Sequence, residues 1–526
     1  MGSADNSDTP ATDQAARAAQ SPTGNHKERI AGGAGLAFVG RLGALIEVGS
    51  MIAFTWLYGA ATFGLFAALW AYVKVSTTVS DIAMTTALQR FVPRADANDA
   101  NLVAGFALKI SFLIGTIFAL TATLLAPELA PFINASDTDA ARLVAVIQIY
   151  VWVLPFWTLV EVATAAVRAR RAFGPEIKIR IFYEQGLRLV TATGFAFAGL
   201  LTYGLFLAHL LSVMMAAALA LRLIAKHYDL RLVLKAPLTG TIASDMRTYG
   251  LSVMPANISK RLFSEFPVII LNLILPGAAG AAASGFYAVA RKVASALQVV
   301  RLAFEYVMAP LAAERDGHGD HKALEEMFAY ATRLSICIAL PFGAALILAR
   351  HDILAAMKPE FQIAAAAIAI LVAGRVLEAA TGPSTAIIEM LGHRLLPAFN
   401  GLVGFAVLAY FSVKLIPMPE PWGGVTGAAI AAAVGLNVTA LLSLIQAGLL
   451  YKLVPFSSYL WRPLVISLLL AGAILALIPA SATWAAPTGL FTALALLLAA
   501  LSLLIRFGLS VHDAKALGKI GRFLKK

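Results

Sequence analysis

The chain has 526 residues, of which 60% are hydrophobic and 13% charged, with a mean hydropathy of +0.80. Soluble domains are about 25% charged, so this composition excludes a soluble enzyme and describes an all-α polytopic membrane protein. The net charge of +12 suits cytoplasmic loops beside anionic lipid and does not call for nucleic acid. Residues 1–29 are polar and read as a disordered cytoplasmic tail, lacking the basic start and short apolar core of a cleaved signal.

Apolar runs bounded by charge or by Gly and Pro predict about 14 transmembrane helices, at 30–57, 63–88, 101–126, 143–167, 179–200, 203–225, 248–275, 283–309, 327–349, 363–388, 395–416, 424–450, 463–480 and 485–505. Breaks such as Tyr58-Gly59, Pro276-Gly277 and Trp422-Gly423-Gly424 have turn chemistry. With the N-terminus inside, 26 Lys and Arg fall in inner segments and only Arg142, Arg350, Lys358 and Lys414 in outer ones. That asymmetry predicts an N-in, C-in protein. The outer loops are short; the longest, near 127–141, has no room for an active site of its own.

The expected domains follow. Helices 1–6 form an N-lobe over 30–225, and helices 7–12 a C-lobe over 248–450. Residues 226–247 link them on the cytoplasmic side. There Asp229 to Lys235 alternates polar and apolar residues, as an interfacial segment would. Helices 13–14 occupy 463–505; between Arg462 and Arg506 they carry no Asp, Glu, Lys or Arg, so they face lipid and brace a lobe or line a groove for a lipid chain. Residues 506–526 form a basic cytoplasmic tail suited to an anionic leaflet. The single cysteine, Cys337, allows no intrachain disulfide.

Helices 1–2 and 7–8 echo one another. Arg41-Leu42 precedes Glu47 and then Gly64-Leu65-Phe66-Ala67; Arg261-Leu262 precedes Glu265 and then Gly285-Phe286-Tyr287-Ala288. Both first helices run from inside to outside, the pattern of parallel repeats about an axis normal to the membrane. Two pseudo-symmetric six-helix lobes are the result.

Charges inside the spans are the second signal. The cations are Arg41, Lys74, Lys109, Arg188, Lys260, Arg261, Arg291, Lys292, Arg301, Arg333 and Arg375. The anions are Glu47, Asp81, Glu161, Glu184, Glu265, Glu305 and Glu378, leaving four positive charges in surplus. A charge at mid-bilayer costs about 2.5–3.5 kcal/mol even on insertion scales, so these side chains need a wet or protein-lined interior. Helical spacing pairs Glu184 with Arg188, Arg261 with Glu265, Arg301 with Glu305 and Arg375 with Glu378. Lys109 and Arg333 are placed to snorkel. The repeat sets Arg41, Lys74, Arg261, Arg291, Lys292 and Arg301 at the lobe interface, where they would bind the phosphates of an anionic substrate. Arg291 and Lys292 are adjacent, so one of the two is expected to face the cavity. Glu47, Asp81, Glu265 and Glu305 are candidates to take up H+ or Na+ in a coupling step, or simply to balance the cations. Amides such as Asn257, Asn272, Gln298, Asn437 and Gln446 either bond sugar hydroxyls or join helices. No phosphate-binding loop, dinucleotide fingerprint, nucleophile elbow or metal-spaced histidine pair occurs, so neither cofactor nor metal is expected and the chain does not read as an enzyme.

Several motifs together resemble a known family. They are Gly40-Arg41-Leu42, Tyr58-Gly59 and Phe63-Gly64-Leu65-Phe66-Ala67; Leu88-Gln89-Arg90-Phe91-Val92-Pro93-Arg94; Arg168-Ala169-Arg170-Arg171-Ala172-Phe173-Gly174; Gly285-Phe286-Tyr287-Ala288-Val289-Ala290; Ala309-Pro310-Leu311-Ala312; and Gly423-Gly424-Val425-Thr426-Gly427. Over about residues 30–510 the chain resembles Wzx-type polysaccharide flippases of the multidrug/oligosaccharidyl-lipid/polysaccharide (MOP) exporter superfamily. The resemblance implies a MATE/flippase-like fold, a central cavity and alternating access. It also implies an undecaprenyl-diphosphate-linked glycan as cargo, with Arg41 and Arg261 best placed for the diphosphate. The setting would be the bacterial inner membrane, in O-antigen, capsule or exopolysaccharide synthesis. Partners would be the lipid-linked glycan, membrane lipids and a polysaccharide polymerase or export machinery. The competing reading is an ion-coupled multidrug exporter of the same superfamily. Its cationic cargo calls for an acidic cavity, against the positive surplus found here.

Overall fold

The computed structural model describes residues 23–170, 174–298, 321–391, 395–481 and 483–509; the side chains of 23–45, 321, 323 and 390 are not among those described. The described residues form helices joined by turns, with no strand.

α1 covers Thr23–Ser80 and contains two arms that meet at Gly59, whose φ of 78° and ψ of 169° leave the helical region. Glu47 and Phe54 on the first arm line the same cavity as Phe63, Trp70 and Lys74 on the second. A straight helix would hold Glu47 and Lys74 about 40 Å apart, so the arms double back. Only a residue without Cβ adopts that φ cheaply.

The chain continues through α2 (Met84–Phe91), α3 (Ala97–Leu124), α4 (Leu143–Ala169), α5 (Glu184–Phe197), α6 (Gly204–His227) and the short α7 (Leu230–Lys235). Next come α8 (Thr241–Ile274), α9 (Gly277–Ser295), α10 (His321–Ala355), α11 (Pro359–Ala380), α12 (Ser384–Met390), α13 (Leu395–Leu415) and α14 (Gly424–Tyr451). α15 (Ser458–Ser481) and α16 (Thr488–Gly508) close the described chain. Ten of the described helices are long and apolar enough to span a membrane. Of the fourteen expected spans, the helix ending in α5 carries Lys178, Arg180, Glu184 and Arg188, and α8 and α9 carry Lys260, Arg261, Glu265, Arg291 and Lys292. The charges that build the interior are what lower the hydropathy of those helices.

Several expected helices are interrupted or distorted. The 63–88 helix breaks at residues 81–83, where Ile82 and Ala83 take positive φ. Asp81 caps the restart, accepting from the Thr85 N–H at 3.2 Å and the Thr85 hydroxyl at 2.7 Å. The 363–388 helix breaks at Gly382, with φ +60°, where a Cβ would run into Thr332. The 179–200 helix begins as a wide π turn over Lys178–Tyr183.

The alternating segment from Asp229 to Lys235 is a short helix. Asp229 caps it by accepting from the Arg231 N–H at 2.8 Å. Lys109, expected to snorkel, donates to the carbonyls of Leu234 and Ala236 at 2.6 and 2.7 Å, at the end of the helix where carbonyls lack partners. α15 and α16 pack on α10: Ala471 and Ile474, then Ala493 and Ala500, share one buried cluster with Ala344, Ala345 and Leu348. The Ser467 hydroxyl reaches the Cys337 carbonyl at 2.9 Å, and the Asp352 carboxylate accepts from the Leu490 N–H at 2.7 Å. These contacts brace α15 and α16 against α10.

The second arm of α1 crosses α9 backbone on backbone. A Cβ on Gly64 would strike the carbonyl of Ala281, and one on Gly285 would lie 3.0 Å from the Gly64 Cα. Ala60 and Gly64 thus face Ala281 and Gly285, a small-residue crossing of the kind that lets membrane helices approach closely. Gly64 and Gly285 are the residues that the sequence repeat pairs, and equivalent residues meet in this way near a pseudo-two-fold axis.

Candidate functional site

Between the two halves lies a cavity of about 330 Å³. Its walls come from both arms of α1, from α5, α8, α9 and α11, and they bring together Lys74, Arg188, Arg291, Lys292 and Arg375. Trp70, one turn before Lys74, places its ring 5.6 Å from the ammonium.

Glu265 sits at the centre. Its side chain is 3% exposed, and one carboxylate oxygen meets the Lys74 ammonium at 2.5 Å and the Arg291 guanidinium at 3.1 Å. Burying a carboxylate is costly unless cations and hydrogen bonds offset its desolvation; two cations converge here, leaving one positive charge over. The expected Glu265–Arg261 pair within α8 does not form. Arg261 turns away to donate to the Thr78 hydroxyl at 3.1 Å, because the buried carboxylate is already engaged by cations from other helices.

Arg291 also donates to the Ser264 carbonyl, while Lys292 forms an ion pair with Glu47 on the first arm of α1. Both adjacent residues therefore line the cavity, contrary to the expectation of one. Successive helical side chains diverge by about 100°, and α9 lies between α8 and the first arm of α1, so each direction finds a wall of the same cavity.

Helical spacing offers Arg188 and Arg375 partners within their own helices. They do pair locally, Arg188 with Glu184 at 3.3 Å and Arg375 with Glu378 at 2.8 Å. Each also lines the cavity, one from each half. Among the described residues, the buried Nε of Arg188 has no hydrogen-bond partner. Arg375 is joined by Gln298, whose amide oxygen, turned towards it, accepts from both guanidinium nitrogens at 2.9 and 2.6 Å.

A second cavity of about 290 Å³ lies farther along the second arm, lined by Thr78, Asp81, Glu161, Asn257, Lys260 and Arg261. Ser264 borders both cavities. Asp81 holds its helix cap here, and Lys260 pairs with Glu389 at 3.0 Å. Asn257 bonds the Thr86 hydroxyl at 3.4 Å across the halves. Asn272, Asn437 and Gln446 join helices: Asn272 binds Asn134, Asn437 the Gly374 carbonyl, and Gln446 the Asn400 amide. Arg301 and Glu305 lie outside the described residues, as does the side chain of Arg41. Among the described residues no His, Cys, Asp or Glu cluster is arranged to hold a metal.

Paired helical halves around a charged interior, braced by apolar helices, are the architecture of a multi-pass membrane protein. The chain belongs to the family described as polysaccharide biosynthesis protein, whose model matches residues 57–357, a stretch that includes Lys74, Arg188, Arg291 and Lys292 of the cavity. Its fold is similar to that of the lipid II flippase MurJ in an inward closed conformation, with a TM-score of 0.69 at 10% identity over 90% of this chain and 98% of that one. It is also similar to an inward-facing multidrug resistance MATE family transporter of the MOP superfamily (TM-score 0.64, 15% identity, 78% and 94% covered). A mutant of the Vibrio cholerae MATE transporter VcmN is another (TM-score 0.53, 18% identity, 80% and 98% covered). At these identities the likeness is one of fold. No curated protein matches the chain.

Proposed function

We propose that the protein flips an undecaprenyl-diphosphate-linked oligosaccharide across the bacterial inner membrane by alternating access, supplying O-antigen, capsule or exopolysaccharide synthesis. The observation that carries this reading is the cavity between the halves, where five cations, Lys74, Arg188, Arg291, Lys292 and Arg375, stand against four carboxylates, Glu47, Glu184, Glu265 and Glu378, leaving a positive surplus. Low-dielectric walls strengthen the pull of such a cluster on an anion, and guanidinium forks suit phosphate oxygens. The unpartnered Arg188 Nε is a donor left over for a ligand. An exporter of cationic drugs would need the opposite charge.

In this reading both termini face the cytoplasm and the Gly59 end faces outward, where a polymerase or export machinery would receive the glycan. Release of a carboxylate such as Glu47 from Lys292 is where H+ or Na+ would enter, if transport is ion-coupled. The test is translocation of a lipid-linked oligosaccharide by protein reconstituted in vesicles. Lys292→Gln combined with Arg375→Gln is expected to lose it while remaining folded, because both residues are partly exposed at the cavity wall.

A further inference from the structure

We propose that Asn134 and Asn272 form a latch between the two halves, and that its release is the step that opens the cavity at the Gly59 end. Asn134 lies in the connection between α3 and α4 of the first half; Asn272 lies in the last turn of α8 of the second. α8 passes the second cavity at Arg261 and the first at Ser264 and Val268, so Asn272 sits beyond both, at the end of the bundle that Gly59 marks.

The two residues exchange three hydrogen bonds. The Asn134 N–H donates to the Asn272 side-chain oxygen at 3.1 Å, its side-chain amide to the Asn272 carbonyl at 2.7 Å, and the Asn272 amide to the Asn134 carbonyl at 2.8 Å. The Asn134 side-chain oxygen then accepts from the Gly277 N–H at 2.8 Å. Every polar group of Asn134 is thereby spent on the other half. Its targets have a common character. The Asn272 carbonyl belongs to the last turn of α8 and the Gly277 N–H to the first turn of α9, positions that lack partners within their own helices. A residue of the first half thus caps two helix ends of the second.

Two more bonds cross at the same end. The Glu360 carboxylate accepts from the Ala60 N–H at 3.2 Å, capping the start of the second arm of α1, and the Trp56 indole donates to the Ala356 carbonyl at 3.0 Å. Just inside them lies the Gly64–Gly285 crossing, a seal of backbone against backbone. All the groups in the latch are ones that water can satisfy once the halves part. Opening therefore exchanges hydrogen bonds and does not strand buried donors, which makes the latch reversible. An apolar seal of the same extent would lack that property. Such a gate would serve any cargo.

The test uses one reporter cysteine at Ala288 in the cavity wall, with Cys337 replaced by Ser. A membrane-impermeant thiol reagent is applied from the side on which a cysteine at the exposed Asp137 reacts. Asn134→Ala is expected to raise the labelling rate about fivefold or more, since even one net hydrogen bond shifts a two-state balance by about that factor. Trp56→Phe removes one cross-half bond from a side chain that is 54% exposed, so it should fold normally and raise labelling by a smaller factor. Labelling unchanged in both variants, or faster only from the opposite side, would overturn the proposal.

Discussion

Replacing Glu265 by Gln should destabilise the protein, and removing one of its two cations as well should recover much of the loss. Glu265 is 3% exposed and holds Lys74 at 2.5 Å and Arg291 at 3.1 Å. Without its charge, two cations share a buried site with no counterion, and breaking a buried pair in this way costs about 3–5 kcal/mol. Glu265→Gln/Lys74→Met removes the second uncompensated charge and leaves Arg291 with the Ser264 carbonyl. A coupling energy of about 0.5–3 kcal/mol between the two positions is the usual range for residues in direct contact. The assay is thermal unfolding of detergent-purified protein, with expression and monodispersity as controls. A pyrophosphate-bearing lipid should raise the Tm of Glu265→Gln more than that of the wild type, because the added anion takes the place of the missing carboxylate. Equal stability of Glu265→Gln and wild type would refute the central position given to this carboxylate. A double variant no more stable than the sum of its single changes would refute the cross-half pairing.

Two further predictions concern packing and topology. Gly64→Ala should cost about 1–3 kcal/mol, because its Cβ meets the Ala281 carbonyl and overpacking carries that penalty; it should also increase thiol access at the Gly59 end. Gly186→Ala on α5, with nothing within 4 Å of the added Cβ, should be neutral or stabilising, and thermal melts of the two variants compare them directly. Single cysteines at Asp137 and Thr239, both exposed, should label from opposite sides in intact cells, the first from outside. Labelling of both from one side would contradict the orientation.

The helices were legible because hydropathy and turn chemistry act locally. Gly59, Pro276-Gly277 and Gly423-Gly424 each mark a turn in the chain and in the structure. The break at residues 81–83 was not legible, since Asp-Ile-Ala contains neither Gly nor Pro and the interruption shows only in the Asp81 cap. The repeat motif did foretell a meeting, for Gly64 and Gly285 touch. What local spacing misjudged was the choice of ion-pair partner. The i,i+4 rule offers Glu265 only Arg261, whereas burial draws Lys74 from a helix nearly 200 residues earlier. The same limitation kept Arg188 and Arg375 off the site, because their short-range partners are real and mask the faces that line the cavity. Asn134 carried no signal at all, being an ordinary loop residue until Asn272 is brought against it.

The claim that this cavity carries a diphosphate-linked glycan is tested most directly by flipping in reconstituted vesicles. Lipid-linked oligosaccharide is loaded in both leaflets, and its loss to an added glycan-cleaving enzyme is followed over time. Wild-type protein should expose the inner-leaflet pool. Lys292→Gln/Arg375→Gln should leave it protected, and soluble pyrophosphate should slow the wild-type protein. Equal flipping by the variant, or an inner pool that the wild-type protein never exposes, would contradict the assignment.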